Sequence, residues 1–294
     1  MPVFLFGCLF SLIWSSAFIA GKVSLDYATP LNFLFFRFVS AGGLLLAACW
    51  LLERCRKRHT IPADARMWRI GSLLGLFNYA LYLGFSYTGL QTIAPQLVIL
   101  LVATTPFATS LLAAALNRSR LNLRQLSAIG IGFGGVYFVL SDRLAQAAFG
   151  IGVLWVLSGV AALAAGTVYY RRAAAGLPPL PLIGVQNLVG GLLLLPFADF
   201  PQLAQAVRHA DFVWSWLYQV VMISMVSMWM WFALVRRLGA ESASVFHLMN
   251  PVFGLLLSAW FFHSDISGKD MLGTAIVVAG MALAVLPARK RAPA

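Results

Sequence analysis

The chain has 294 residues, of which 61% are hydrophobic and 10% charged, with a mean hydropathy of +0.86. Soluble proteins carry about 25% charged residues, so this composition excludes a water-soluble globular domain and points to an integral membrane protein. The net charge of +12 is scattered over short segments between apolar runs rather than gathered on one folded basic face, which excludes nucleic acid as a partner.

Hydrophobic runs near the roughly 20 residues that cross a bilayer as a helix recur along the chain. None shows the short-period alternation of a barrel strand. In chain order the predicted spans lie at about 3–22, 30–52, 68–88, 92–116, 124–141, 150–170, 180–198, 212–235, 242–262 and 270–287. The first is too long, and lacks the basic start and cleavage site, to be a removable signal peptide.

Basic residues choose sides. Arg54, Arg56, Lys57, Arg58, Arg66 and Arg69 follow span two; Arg118, Arg120 and Arg124 join spans four and five. Arg171 and Arg172, Arg236 and Arg237, and Arg289, Lys290 and Arg291 fall on the same side. The other side holds Lys22, Arg143, Arg208 and Lys269, and Arg37 alone sits within a span. This positive-inside bias predicts a multi-pass protein of a bacterial-type inner membrane with both termini cytoplasmic.

Span one carries Trp14, Ser15 and Ser16. Span three carries Asn78, Tyr79 and Tyr82 at helical spacing, and Gln96 opens span four. Polar groups in hydrocarbon are costly unless protein or a wet cavity satisfies them. Mid-span Tyr79 and Tyr82 therefore read as cavity wall or as helix packing with a satisfied hydroxyl, while Tyr87 near a span end reads as an interfacial belt residue. Span seven offers Gln186 and Asn187. Span eight offers Ser224, Ser227, Met228 and Trp231, a face able to hold a mixed polar and apolar solute or simply to pack. Span nine offers His247 and Asn250. Thr105-Pro106 and Asn250-Pro251 break mid-span hydrogen bonding, making Pro106 and Pro251 candidate hinges.

The segment from Pro106 to Gly135 aligns without a gap with the segment from Pro251 to Gly280, at an offset of 145 residues. Pro106 meets Pro251, Leu111 meets Leu256, Ser119 meets Ser264, Arg124 meets Lys269 and Gly135 meets Gly280. Pro30 and Arg37 align with Pro179 and Gln186. Five spans per repeat make the second half inverted, the architecture of alternating-access transporters. The expected fold is therefore all-α: ten transmembrane helices as two inverted five-helix repeats, residues 1–145 and 146–294, around a central cavity.

With these features the chain resembles the drug/metabolite transporter superfamily of EamA type and, within it, the YddG-like amino-acid exporters. The resemblance covers the whole chain. It implies a basket of ten helices, a cavity lined mainly by spans one, three, four, six, eight and nine, and export of aromatic and other amino acids. The glutamate that many members carry after spans four and nine is replaced at the matching positions by Arg120 and Asp265.

All nine acidic residues sit in loops or at span ends, so the midplane carboxylate usual in ion-driven pumps is absent from the sequence. Uniport or exchange is expected. His247 is the one histidine well inside a span, either a titrating group or a packing residue. Arg37 reads as structural, snorkelling outward near Asp26 or capping carbonyls, or as a binder of a substrate carboxylate. The expected substrate-binding set is Trp14, Ser15, Asn78, Tyr79, Tyr82, Gln96, Gln186, Ser224, Ser227, Trp231, His247 and Asn250.

Catalytic residues, metal and cofactor are not expected. Cys8, Cys49 and Cys55 have no ligand spacing, and Walker A, H-E-x-x-H and G-x-S-x-G patterns are absent. GIGFGG at Gly130–Gly135 fits a dinucleotide fingerprint but lies inside a span without a preceding strand, so close helix packing is its expected role. The rival readings are proton-coupled export of another metabolite or drug and, more weakly, a membrane-embedded lipid enzyme. Against the enzyme, Glu241 and His247 are six apart and share no helix face. The expected partners are a small-molecule substrate and membrane lipid, with a monomer as the simplest assembly.

Overall fold

The computed structural model describes residues 3–56, 64–118, 123–145, 150–174, 176–238, 245–263 and 265–285, and no strand occurs among them. Ser119, Arg120, Glu241, Ser264, Lys57, Arg58, Arg289, Lys290 and Arg291 lie outside the described residues. Two long helices open the chain, α1 (Val3–Ser24) and α2 (Pro30–Arg56). The next run joins α3 (Ala65–Gly75) through a π-helical stretch, Leu76–Leu81, to α4 (Tyr82–Leu90). Then come α5 (Pro95–Val102), α6 (Thr105–Asn117), α7 (Leu123–Ala145) and α8 (Ile151–Ala173). Helix α9 (Pro179–Leu193), a 3-10 turn at Leu195–Phe197 and α10 (Phe200–Ala206) follow. A second π-helical stretch, Gln219–Ser227, joins α11 (Ala210–Tyr218) to α12 (Met228–Leu238). A 3-10 segment, Val245–Met249, leads into α13 (Asn250–Phe262), and α14 (Gly268–Val285) ends the described chain.

Among the described residues, five helical runs are long and apolar enough to cross a membrane: Val3–Ser24, Pro30–Leu52, Pro95–Asn117, Ile151–Ala173 and Ala210–Trp231. The polarity of the fold runs opposite to that of a soluble protein. Trp214, Trp229, Trp260, Phe261 and Leu256 are exposed, while Ser11, Asn32, Arg37, Ser86, Asn187 and Gln219 are buried. Lipid serves as solvent for the first set, and the helix bundle encloses the second, partnering Ser11 and Asn32 and leaving single polar atoms of Arg37, Ser86, Asn187 and Gln219 without a partner.

Local chemistry explains the helix ends. Asp199 caps α10 by accepting from Gln202 N at 2.9 Å, and Asn32 ties that cap to α2 by accepting from Asp199 N at 3.0 Å. The Lys22 ammonium donates to the carbonyls of Leu90 and Gln91 (2.7 and 3.2 Å), which neutralises the negative end of α4. Ser267 and Asp270 form a reciprocal capping box at the start of α14.

The breaks fall at matching places. Helix α5 stops before Thr105-Pro106, and the 3-10 segment gives way to α13 at Asn250-Pro251. Helices α6 and α13 start and end 145 residues apart, and both close on a left-handed residue, Arg118 (φ 50°) and His263 (φ 49°). The starts of α3 and α11, and of α7 and α14, show the same offset. The two π-helical stretches overlap under it.

Glycines set the closest crossings. A Cβ on Gly280 would stand 2.7 Å from Gly132 N, and one on Gly42 would stand 2.5 Å from Leu188 N. Gly132 and Gly135, from the GIGFGG motif, are pressed against Phe107 and against Val277 and Gly273, so the packing role expected of them holds there. Gly130 and Gly134 face open space.

Candidate functional site

The predicted residues collect into three groups. The first is aromatic. Phe10 and Trp14 of α1, Trp231 of α12 and His247 of the 3-10 segment form a box: Trp231 stacks on Phe10 at 5.6 Å and lies 4.9 Å from the His247 ring. His247 meets Phe10 and Trp14 edge-on at 5.2 and 5.7 Å. The Asn250 amide Nδ2 donates to His247 Nδ1 at 3.0 Å, so a neutral ring carries its proton on Nε2. Asn250 Oδ1 is buried without a partner. The box closes because α1 is pinned to the start of α13. Ser11 donates to Phe246 O at 2.6 Å, and Ser15 has Ser11 O and Asn250 O as acceptors at 2.7 and 3.2 Å. Ser15 is therefore a support of the box, with its hydroxyl already engaged.

The second group is amide. Asn78, on the first π-helical stretch, donates to Gln186 Oε1 at 3.1 Å, and a Cβ on Gly166 would reach 2.0 Å from Asn78 Oδ1. Asn187 donates to Ile183 O at 3.0 Å. No hydrogen-bond partner reaches Asn78 Oδ1 or Asn187 Oδ1. Tyr79 lies beside Asn187 and meets Phe38 edge-on at 5.1 Å. A π-turn lengthens the ladder from i→i+4 to i→i+5 and re-aims side chains, a device frequent at functional sites.

The third group is centred on Arg37, which is 4% exposed. Its Nη1 donates to the Tyr87 hydroxyl at 3.2 Å; that hydroxyl donates to Gln219 Oε1 at 2.6 Å, with Ala17 O 3.2 Å away. Two expectations are corrected here. Tyr87 is not a belt residue at the lipid interface: it is 0% exposed and links α1, α2, α4 and the second π-helical stretch. Arg37 does not snorkel outward: it is buried and donates to the Tyr87 phenol.

Other predicted residues stand apart. Gln96 of α5 accepts from Ser258 of α13, a bond between helices. Ser227 donates to Ile223 O, within its own π-helical stretch, so it does not present a free hydroxyl. Ser224 is buried one turn away. Tyr82 is 8% exposed. Pro106 and Pro251 sit at the breaks already described, and Pro251 with Gln96, Asp270 and Thr274 lines a cleft of about 10 Å³, room for one water.

Phe10 was invisible as a site residue in the sequence, since one Phe in an apolar run carries no pattern. Gln219 and Ser258 were missed because their partners lie 132 and 162 positions away. Neither a cysteine–histidine nor an acidic grouping able to hold a metal occurs among the described residues.

The model of the EamA-like transporter family matches residues 1–141 and again 150–286. An uncharacterized transporter of Synechocystis is 25% identical over 290 residues, covering 92% of this chain and 86% of the relative. An uncharacterized transporter of Bacillus subtilis is 22% identical, covering 92% and 88%. Protein PecM of Dickeya dadantii is 22% identical, covering 92% and 87%. A solved protein structure superposes with a TM-score of 0.66 at 19% identity, over 97% of this chain and 96% of the other, which shows a shared fold. The chain is thus a multi-pass membrane transporter rather than an enzyme, and it belongs to the EamA-like transporter family of the drug/metabolite transporter superfamily.

Proposed function

We propose that this transporter exports amino acids, aromatic and other neutral ones with broad specificity, by alternating access as a uniporter or exchanger. The observation that carries the reading is the box of Phe10, Trp14, Trp231 and His247 with the Asn250 amide beside it. Indole faces attract an ammonium group and stack on an aromatic side chain, while the amide and imidazole supply neutral hydrogen bonds. Among the described residues no carboxylate contacts the box, which suits a zwitterion better than a cation.

Alternating access draws support from the offset of 145 residues shared by helix starts, helix breaks and π-helical stretches. The reading is of ten spans in two inverted halves, 1–145 and 146–294, rocking about Pro106 and Pro251, with both termini cytoplasmic on the side where the basic residues gather.

The test is counterflow in proteoliposomes loaded with one unlabelled amino acid, following uptake of the labelled form without a pH or ion gradient. Accumulation for several aromatic and neutral amino acids is the expected result. Failure for all of them, even with a pH gradient imposed, moves the assignment to another metabolite or drug. In the same assay Tyr82→Ala and Gln96→Ala are expected to cut flux several-fold at unchanged expression. Unchanged flux in both removes these two residues from the transport path.

A further inference from the structure

We propose that the buried cluster of Arg37, Tyr87 and Gln219 is a binding site for a small monovalent anion. Arginine cannot shed its proton inside a protein. An uncompensated buried charge is costly, so a counter-charge is expected. Among the described residues none supplies one: the only hydrogen bond of Arg37 runs to a neutral phenol, and its guanidinium stands 5.4 Å from the Phe38 ring centroid, a partial compensation.

The surrounding groups are donors left over. Arg37 Nε is buried without a partner, and so is Gln219 Nε2 on a side chain that is 0% exposed. Gln219 Oε1 is already engaged by the Tyr87 hydroxyl, which directs its amide nitrogen elsewhere. Buried, unpartnered N–H groups on one fixed cation and on the amide linked to it, with no acid among the described residues, are complementary to an anion. The cation is not a general requirement of the architecture. The aligned position is neutral Gln186, whose Oε1 accepts from the Asn78 amide.

The occupant is either the carboxylate of the carried solute or a free halide; only the carboxylate source rests on the proposed function. The test measures thermal unfolding of the purified full chain in detergent while chloride or formate replaces gluconate at constant ionic strength. Saturable stabilisation by chloride and formate is expected. Arg37→Gln should weaken it roughly tenfold or more, the worth of a charge-assisted hydrogen bond. Gln219→Glu installs an internal carboxylate, so it should stabilise the protein in gluconate and erase the chloride response. A non-saturable response in the unmutated protein, or an unchanged one in Gln219→Glu, overturns the site. Competition with chloride by a neutral amino acid but not by its amide identifies the solute carboxylate as occupant. Absence of competition identifies the free halide. Binding is read without transport, so failure of counterflow leaves this result standing, and the reverse also holds.

Discussion

Trp231→Ala is expected to lower kcat/KM for export of an aromatic amino acid by roughly 10- to 100-fold, with a loss of only a few-fold for alanine. The indole stacks on Phe10 at 5.6 Å and reaches His247 at 4.9 Å, so it forms two of the contacts that define the box. A ring pair contributes about 0.5–1.5 kcal/mol beyond area burial. An aromatic substrate replacing those contacts forfeits a similar amount per ring when the indole is gone. Folding should survive, because Trp231 is only half-buried and Phe10 keeps its contacts with Trp14 and His247. Trp231→Phe, which restores a ring face, should recover most of the rate. Monodisperse Trp231→Ala protein with an undiminished rate for phenylalanine would remove the box from the substrate path.

What the sequence made legible was whatever has a period or a fixed local chemistry. Apolar runs marked the helices, and their ends moved by only a few residues: the fourth run starts at Pro95, not 92, because proline is pre-set for a first helical turn. Asn250-Pro251 and Thr105-Pro106 announced their breaks because proline removes a donor wherever it stands. The glycines of GIGFGG announced close packing, although the motif alone could not separate Gly132 from Gly130, which differ only in which helix face they occupy. The π-helical stretches were not legible. Their wider turn depends on tertiary packing, and it changes the spacing of Ser224 and Ser227 from that of an ordinary helix. Tyr87 misled for a related reason. A tyrosine close to a span end has the same local signature whether it meets headgroups or an arginine from another helix, and its partners Arg37 and Gln219 lie 50 and 132 positions away.

Gly280→Ala is expected to destabilise the folded transporter by about 1–3 kcal/mol, the usual range for overpacking. A methyl group there would meet Gly132 N at 2.7 Å, Gly132 Cα at 2.9 Å and Ala128 O at 3.0 Å, all backbone atoms of α7 that cannot rotate aside. Helix propensity opposes this effect, since alanine is favoured over glycine by about 1 kcal/mol in a helix interior. The sign therefore depends on whether the axes can separate. The two axes run close over more than one turn: a Cβ on Gly135 would stand 2.9 Å from Val277 N and 3.0 Å from Gly273 O, so separating them to admit a methyl group opens a seam that α7 and α14 share beyond the Gly280 crossing. Gly130→Ala and Gly134→Ala provide the control, because a Cβ at either position meets nothing within 4 Å. There propensity acts alone, and unchanged or slightly higher stability is expected. Thermal unfolding of the three variants in one detergent checks the ordering. If Gly280→Ala melts with the other two, the crossing has slack, and α7 and α14 are free to slide rather than moving as one body during transport.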